Sequence, residues 1–204
     1  TLRMPYGEDV AVIHASAGMR RIIALAYLLI WTWEEHLAAA TVRGEAPAKE
    51  IIFLIDEIEA HLHPQWQRRI VPALLTVMDA LTGKHGSKVQ LIAATHSPLV
   101  LASVEPTFDV DEDAWFDLDL EQKRVVLRKR PYVRHGEVGN WLVSEAFDLK
   151  EPRSLEGEQA IAAAQAVLDA TAPSAKAIEQ ADQALRKAGL PDIDPFWVQW
   201  GYFR

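Results

Sequence analysis

Two short apolar runs, rich in β-branched and aliphatic residues, constrain the fold of this chain most strongly. They are "IIFLID" at residues 51–56 and "VQLIAAT" at residues 89–95. Neither run alternates with polar residues, which is the pattern of a strand covered on both faces of a parallel sheet. Between them Pro64 stands where a helix can begin, and apolar residues then recur at helical spacing. This strand–helix–strand order predicts a right-handed crossover in a parallel sheet, and so an α/β fold with flanking helices.

Polar residues end both runs. Asp56 and Glu57 close the first, and Thr95 and His96 close the second. Parallel strands bring their carboxyl ends to one edge of the sheet, where open α/β folds bind ligands. An aspartate at this edge can hold a Mg²⁺ that bridges nucleotide phosphates, and a neighbouring glutamate can take a proton from an attacking water.

Simpler interpretations exist for each motif alone. The acid pair could be a helix-capping aspartate beside a surface glutamate, and a lone histidine at a strand end is more often a capping group. The combination of Asp56–Glu57 with His96 one βαβ unit later favours a phosphate-sensing histidine. Glu59, His61 and His63 also suggest zinc, but a catalytic zinc needs a third ligand and an open position. A loop that leads into a helix at Pro64 is the better interpretation of these histidines.

The rest of the chain is mostly helical in pattern. A segment from Met19 to about Ala40 is apolar on nearly every face, which predicts a helix packed on several sides. Its longest apolar stretch, residues 22–31, is about half of the roughly 20 residues that span a bilayer, so we expect no membrane contact. Residues 114–130 alternate with period two around a polar turn and predict a β-hairpin. After Gly139 the pattern is helical to the end.

Three residues predict where helices bend or begin. Pro72 predicts a kink in the helix that follows Pro64. Ser154 and Ser174 are positioned to cap two Ala-rich helices near the end of the chain. The sequence of 204 residues has a net charge of −8 and no cysteine. The charge argues weakly against a broad nucleic-acid-binding surface, and the absence of cysteine is consistent with a cytoplasmic protein.

Taken together, these motifs resemble a known family. "IIFLIDEIEAHLHPQWQ" followed by "VQLIAATHSPLVL" resembles the Walker B, D-loop and switch-histidine region of ABC-type ATPases. It is most similar to the soluble branch that includes RecF, structural-maintenance-of-chromosomes and OLD-like proteins. "HASAGMRRIIALAYLL" upstream resembles the ABC signature motif and its helix. The resemblance covers about residues 10–105 and implies the P-loop NTPase fold, with ATP and Mg²⁺ as cofactors.

The resemblance implies roles for particular residues. Asp56 corresponds to the Mg²⁺-coordinating acid, Glu57 to the catalytic base and His96 to the switch histidine. Ser16 and Gly18 correspond to the signature serine and glycine, which in this family contact a nucleotide held by the other subunit. A head-to-tail homodimer is therefore implied.

The D-loop corresponds to about residues 59–63, and His63 stands where many members have an aspartate. The sequence also departs from the family pattern. Ile58 replaces a common proline, while Ala17 and Met19 replace the usual glycine and glutamine of the signature.

The phosphate-binding loop is missing from the sequence, because no G-x-x-x-x-G-K-[ST] motif occurs in it. We therefore expect residues 1–135 to be the C-terminal part of an ATPase domain, with the signature at 14–21, Walker B at 51–57 and the switch histidine at 96. Residues 136–204 are expected to be a helical extension. The N-terminal half of the same domain would then be a partner.

The resemblance implies ATP hydrolysis in DNA metabolism or anti-phage defence, with DNA or an effector protein as a further partner. The alternative is a binding module in which ATP-dependent dimerisation controls an effector such as a nuclease.

Overall fold

The computed structural model describes residues 1–4 and 7–203 of the chain. The chain forms two compact units, Thr1–Trp141 and Leu142–Arg204. The boundary expected from the sequence, between residues 135 and 136, lies just before this division.

The first unit is mixed α/β, and its elements follow one another in chain order. They are β1 (Leu2–Arg3), β2 (Asp9–Val10), α1 (Ala17–Arg43), β3 (Glu50–Ile55), α2 (Pro64–Gln67), α3 (Ile70–Thr82), β4 (Lys88–Ala93), α4 (Pro98–Val104), β5 (Trp115–Glu121), β6 (Arg124–Arg130) and α5 (Val138–Leu142), whose last residue opens the second unit. Strand β3 pairs with β4 in parallel, from Glu50 opposite Lys88 to Ile55 opposite Ala93. The predicted parallel βαβ unit is therefore confirmed.

The helix after Pro64 is broken rather than kinked. Helix α2 ends at Gln67, and α3 begins at Ile70. Pro72 lies in the first turn of α3, where its missing N–H costs no helical hydrogen bond. Pro72 has no N–H to donate to the carbonyl of Arg68, four residues earlier. The helix is therefore interrupted between α2 and α3.

The core of the first unit lies on one face of the β3–β4 pair. Phe53 and Ile55 of β3 and Val89 and Leu91 of β4 pack against a buried cluster. This cluster consists of Leu29, Ile58, Leu62, Ile70, Leu74, Met78 and Val100, which come from α1, the loop after β3, α3 and α4.

The opposite face of the same strands is exposed. Ile52 and Leu54 are 66% and 78% exposed, and Ile92 beside them is also exposed. The prediction that both faces of the strands are covered is wrong within residues 1–4 and 7–203. The crossover between β3 and β4 covers only one side of this parallel strand pair. The described part of the chain therefore leaves the apolar side chains of the other side exposed.

Helix α1 shows the same excess of apolar surface. Its buried residues include Leu29 and Trp33, but Tyr27, Leu28 and Trp31 are exposed. The prediction of a helix packed on several sides is therefore wrong for the described residues. By length and composition α1 could cross a membrane, although core helices of soluble proteins and signal sequences meet the same criterion.

The predicted hairpin is confirmed as β5 and β6, with Gln122 and Lys123 in the left-handed conformation at its turn. One face carries cross-strand ion pairs, in which Arg128 contacts Glu121 and Arg130 contacts Asp117. The other face is apolar and exposed: Phe116, Leu118, Leu120, Val125 and Leu127. Here too, the described part of the chain leaves an apolar surface exposed to solvent.

A buried carboxylate joins the end of α4 to the last segment of the first unit. Glu105 accepts hydrogen bonds from the backbone N–H of His135 (2.8 Å) and Gly136 (3.0 Å) and from the indole N–H of Trp141 (2.7 Å). Burial alone would raise the pKa of Glu105, but these donors outweigh it and hold the pKa below its ordinary value. Tyr132, three residues before His135, stacks on Phe108 and lies edge-on to Trp115.

The second unit is helical, as the sequence predicts. Its helices are α6 (Leu155–Leu168), α7 (Ala175–Lys187) and α8 (Phe196–Phe203). Ser154 and Ser174 cap α6 and α7, because their hydroxyls accept from the N–H of Gly157 and Ala177. The apolar faces of the three helices, together with Leu190 between α7 and α8, share a core of Ala160, Ile161, Ala164, Ala181, Leu185, Leu190, Phe196 and Trp200.

A bidentate ion pair fixes the segment before α8 to the segment before α6. Arg153 donates two hydrogen bonds of 2.9 Å to Asp194. The hydrogen bonds from Arg153 hold the pKa of Asp194 below its ordinary value, although burial opposes them. The same contact raises the pKa of Arg153.

Candidate functional site

The carboxyl ends of β3 and β4 lie side by side. The Ala94 N–H donates to the Ile55 carbonyl at 2.9 Å, and the Ile58 N–H donates back to the Ala94 carbonyl at 3.2 Å. Ala94 therefore extends the pairing one residue beyond β4, and its carbonyl meets the N–H of Ile58, three residues beyond the end of β3. Asp56–Glu57 and Thr95–His96 leave the same edge of the sheet, and Asp56, Glu57 and His96 are exposed there.

The backbone of the acid pair has an unusual conformation. Glu57 has a φ of +47°, in the left-handed region that residues other than glycine seldom adopt. Its N–H donates to Asp56 Oδ1 at 3.1 Å. Arg21 on α1 donates from Nη2 to the Glu57 carbonyl at 2.7 Å and to the Asp56 carbonyl at 3.3 Å. These bonds stabilise a strained turn that places both carboxylates at the edge.

Sequence reasoning missed the role of Arg21. Its guanidinium reaches carbonyl groups that lie 35 and 36 residues later in the chain. A cation one turn into an apolar helix is a common surface feature, so no local signal pointed to this contact.

The segment that resembles the ABC signature forms the start of α1. Ser16 is the N-cap, and its hydroxyl accepts from the Met19 N–H at 3.3 Å. Gly18 is buried where the helix meets the loop after β3. A Cβ at residue 18 would lie 2.5 Å from the His61 carbonyl oxygen and 3.2 Å from the Trp66 ring. This close approach explains the glycine on packing grounds alone.

Gly18→Ala is expected to destabilise the first unit by about 1–3 kcal/mol, because overpacking forces backbone to move. Urea denaturation of the 204-residue chain measures this change. Gly139→Ala is the matched control, since a Cβ at residue 139 meets nothing within 4 Å. Equal stabilities of the two variants would contradict the tight packing at Gly18.

Glu59 joins the loops that follow the two strands. Its Oε2 accepts from the Thr95 hydroxyl at 2.6 Å, and its Oε1 accepts from the His96 N–H at 2.6 Å. The Thr95 hydroxyl oxygen in turn accepts from the Ser97 N–H at 3.1 Å. The sequence placed Glu59 in the D-loop and, as an alternative, in a zinc site, and its contact with the other loop was not foreseen.

A second contact joins the same loops. The buried Ser97 donates from its hydroxyl to Gln67 Oε1 at 2.7 Å, and Gln67 Nε2 donates to the Leu62 carbonyl at 2.9 Å. Ser97 Oγ also accepts from the Val100 N–H and so caps α4. The loop after β4 is therefore attached at two points, to the loop after β3 through Glu59 and to α2 through Gln67.

His63 is the N-cap of α2, and its Nδ1 accepts from the Gln65 N–H at 3.3 Å. His61 has a φ of +63° and, like His63, is exposed. Across residues 1–4 and 7–203, no group of three or more His, Asp or Glu side chains is arranged to hold a metal ion. The zinc alternative gains no support, because Glu59 points to Thr95 and His96 instead.

The residues at the edge fit part of a Mg²⁺–nucleotide site. Mg²⁺ in nucleotide enzymes is held by one or two carboxylates together with substrate phosphates, and the exposed Asp56 carboxylate suits that role. The cradle of backbone N–H groups that holds β- and γ-phosphates is a separate motif, which this sequence lacks.

Comparison with known proteins supports an ATPase assignment at a coarse level. Residues 4–102 match a family model described as "AAA domain, putative AbiEii toxin, Type IV TA system". This segment is therefore similar to AAA domains of the P-loop ATPase superfamily, and its mixed α/β structure agrees with that similarity.

Individual relatives point in the same direction. The chain is 34% identical over 99 residues to the Retron Vc95 probable ATPase of Vibrio cholerae serotype O1 biovar El Tor. The aligned segment covers 48% of this chain and 17% of the relative. It is 33% identical over 113 residues to Septu protein PtuA of Bacillus thuringiensis, covering 52% and 24%. It is 32% identical over 100 residues to the Retron Ec83 probable ATPase of Escherichia coli, covering 49% and 15%. The match thus spans a quarter or less of each relative.

Proposed function

We propose that this chain is the C-terminal part of the nucleotide-binding domain of an ABC-type ATPase, and that the β3–β4 edge is half of its active site. One observation carries the proposal. Two adjacent acids and a histidine leave neighbouring parallel strands at the same edge, and all three side chains are exposed there. The relatives named probable ATPases support the same reaction.

Each residue has a distinct role in this proposal. Asp56 holds Mg²⁺, which supplies charge neutralisation at the nucleotide phosphates when it is bound. Glu57 takes the proton of the attacking water, and the bonds from Arg21 to its backbone fix the turn that presents it. His96 donates a hydrogen bond toward the terminal phosphate from the adjacent strand end.

The proposal assigns Ser16 and Gly18 to the signature and His63 to the D-loop, which together act across a head-to-tail dimer. Ser16 opens a helix of 27 residues, and its hydroxyl is exposed at the N-terminus of that helix. Helix N-termini favour anions, so the position is suited to a phosphate of the partner's nucleotide.

The phosphate-binding loop is proposed to lie on a segment outside these 204 residues. Three observations support this. The motif is absent from the sequence, the match spans a quarter or less of the relatives, and one face of β3–β4 exposes Ile52 and Leu54. Exposed apolar patches mark surfaces that interact with another polypeptide, a ligand or a membrane, and a missing part of the same domain would supply such a polypeptide.

The 204-residue chain alone is therefore expected to show no Mg²⁺-dependent ATP hydrolysis, whereas the full-length protein hydrolyses ATP. Release of inorganic phosphate, measured with and without EDTA, tests both statements. Hydrolysis by the isolated chain that Glu57→Gln abolishes would contradict the proposal that an essential half is missing.

The resemblance further suggests a role in anti-phage defence, and the relatives named for retrons and a Septu protein support it. Protection of cells against phage infection by the full-length gene, lost in Glu57→Gln, is the expected result. Unchanged protection in that variant would show that defence against phage does not require ATP hydrolysis.

A further inference from the structure

We propose that Glu59 is a positioning residue that couples the loop of Asp56 and Glu57 to the loop of His96. The inference rests on the proposed function, because it assumes that His96 contacts the nucleotide. Glu59 itself is not placed at the reacting atoms. Its contribution is to fix the backbone from which the His96 side chain projects.

The geometry matches a carboxylate with two assigned partners. Each oxygen of Glu59 accepts one hydrogen bond of 2.6 Å, from the Thr95 hydroxyl and from the His96 N–H. Bonds to an ionised acceptor are shorter and stronger than neutral ones, and Glu59 and Thr95 are both partly buried. The carboxylate therefore holds the Thr95–His96 peptide against the loop after β3.

The direction of these bonds is determined by the neighbours. A carboxylate has no hydrogen to donate, so the Thr95 hydroxyl donates to Glu59, while its oxygen accepts from the Ser97 N–H at 3.1 Å. The His96 N–H is also a donor. Residue 59 therefore accepts twice, once at each carboxylate oxygen, and both bonds are to a charged acceptor. In Glu59→Gln, the His96 N–H faces either the amide NH₂ group or a neutral amide oxygen, and in both cases it loses a hydrogen bond to a charged acceptor.

Glu59 lies close in sequence to Glu57, so its bond to the His96 N–H links the two loops. It lies two residues after Glu57, within the short segment that also contains the strained Glu57 turn. Movement of the Glu57 loop therefore shifts the acceptor of the His96 N–H. The second attachment, through Ser97 and Gln67, holds the far side of the same loop and leaves Glu59 as the contact closest to His96.

The first test uses the 204-residue chain and needs no ATP. In Glu59→Gln, the His96 amide proton is expected to move upfield in NMR spectra, and its hydrogen exchange is expected to accelerate about tenfold, the equivalent of one lost charged hydrogen bond. Glu50→Gln is the matched control, because Glu50 is an exposed glutamate at the opposite end of β3. An unchanged His96 amide in Glu59→Gln overturns the inference.

The second test measures single-turnover ATP hydrolysis in the full-length protein. Glu59→Gln is expected to lower the rate of the chemical step about tenfold with little change in the Kd for ATP. Thr95→Val, which removes the hydroxyl donor, is expected to act in the same direction, and Thr95→Ser, which keeps it, to preserve the rate. A purely structural role would instead lower thermal stability and weaken ATP binding together with the rate, and that result overturns the inference.

Failure of the inference and failure of the proposed function give different results. If Glu57→Gln and His96→Ala both leave hydrolysis unchanged, the proposed function fails, and with it the role of Glu59. If both stop hydrolysis while Glu59→Gln and Thr95→Val behave as wild type, only the positioning role is overturned.

Discussion

Glu57→Gln in the full-length protein is expected to bind ATP normally and to hydrolyse it at least about 100-fold more slowly. General-base catalysis contributes roughly 10²–10⁴-fold to a rate, and glutamine has the shape of glutamate without its proton affinity. The N–H of residue 57 still donates to Asp56 Oδ1, and its carbonyl still accepts from Arg21, so the turn is preserved. Loss of rate without loss of binding would therefore reflect the missing base.

Equilibrium binding of ATP and single-turnover hydrolysis, measured on the same preparation, separate the two effects. Glu50→Gln makes the same chemical change at an exposed position on the other end of β3 and is expected to hydrolyse ATP as wild type does. Near-normal turnover in Glu57→Gln would exclude this residue as the base. Weaker ATP binding would indicate that the charge of Glu57 contributes to nucleotide binding instead.

The sequence predicted the elements that place the site. Runs 51–56 and 89–95 appear as β3 and β4, within a residue or two at each end, and they pair in parallel as their order required. Helix starts at Pro64, Ser154 and Ser174 were also correct, since proline and capping serines have local preferences that need no tertiary contact.

The surfaces of the fold were less predictable. Ile52 and Leu54 have the pattern of a strand covered on both faces, yet one face is exposed in the described chain. The apolar pattern shows which side chains avoid water, but it does not show whether the covering group lies in the same 204 residues. The prediction that helix α1 is packed on several sides is wrong for the same reason.

The contacts that organise the site could not be read from the sequence. Glu59 and Thr95 are 36 residues apart, and Arg21 lies 36 residues before Glu57. The first contact joins two side chains and the second joins a side chain to backbone carbonyls, all of common surface types, so no periodicity or spacing indicates them. The sequence identified the acids and the histidine by type, and the structure adds the residues that fix their backbones.

Glu105→Ala is expected to destabilise the first unit by about 3 kcal/mol at neutral pH. The substitution removes the acceptor of three donors, two backbone N–H groups and the Trp141 indole, and a buried donor left unsatisfied costs about 1–3 kcal/mol. Glu137→Gln, at an exposed glutamate in the same segment, is the control and is expected to leave stability unchanged. Urea denaturation, with hydrogen exchange of residues 98–141 to identify the unit that opens, measures the change.

Acid should reduce the difference between wild type and the Glu105 variants. The folded-state pKa of Glu105 is lowered, so its contribution is complete above the unfolded-state pKa of about 4.3 and is lost as the pH falls through the lower folded value. Wild type is therefore expected to lose more stability than Glu105→Gln as the pH falls below about 5. Asp194 also has a lowered pKa, but it is present in both proteins and cancels in the comparison. Parallel stability curves from neutral to acidic pH would show that the Glu105 carboxylate is not what holds α4 to the His135–Trp141 segment.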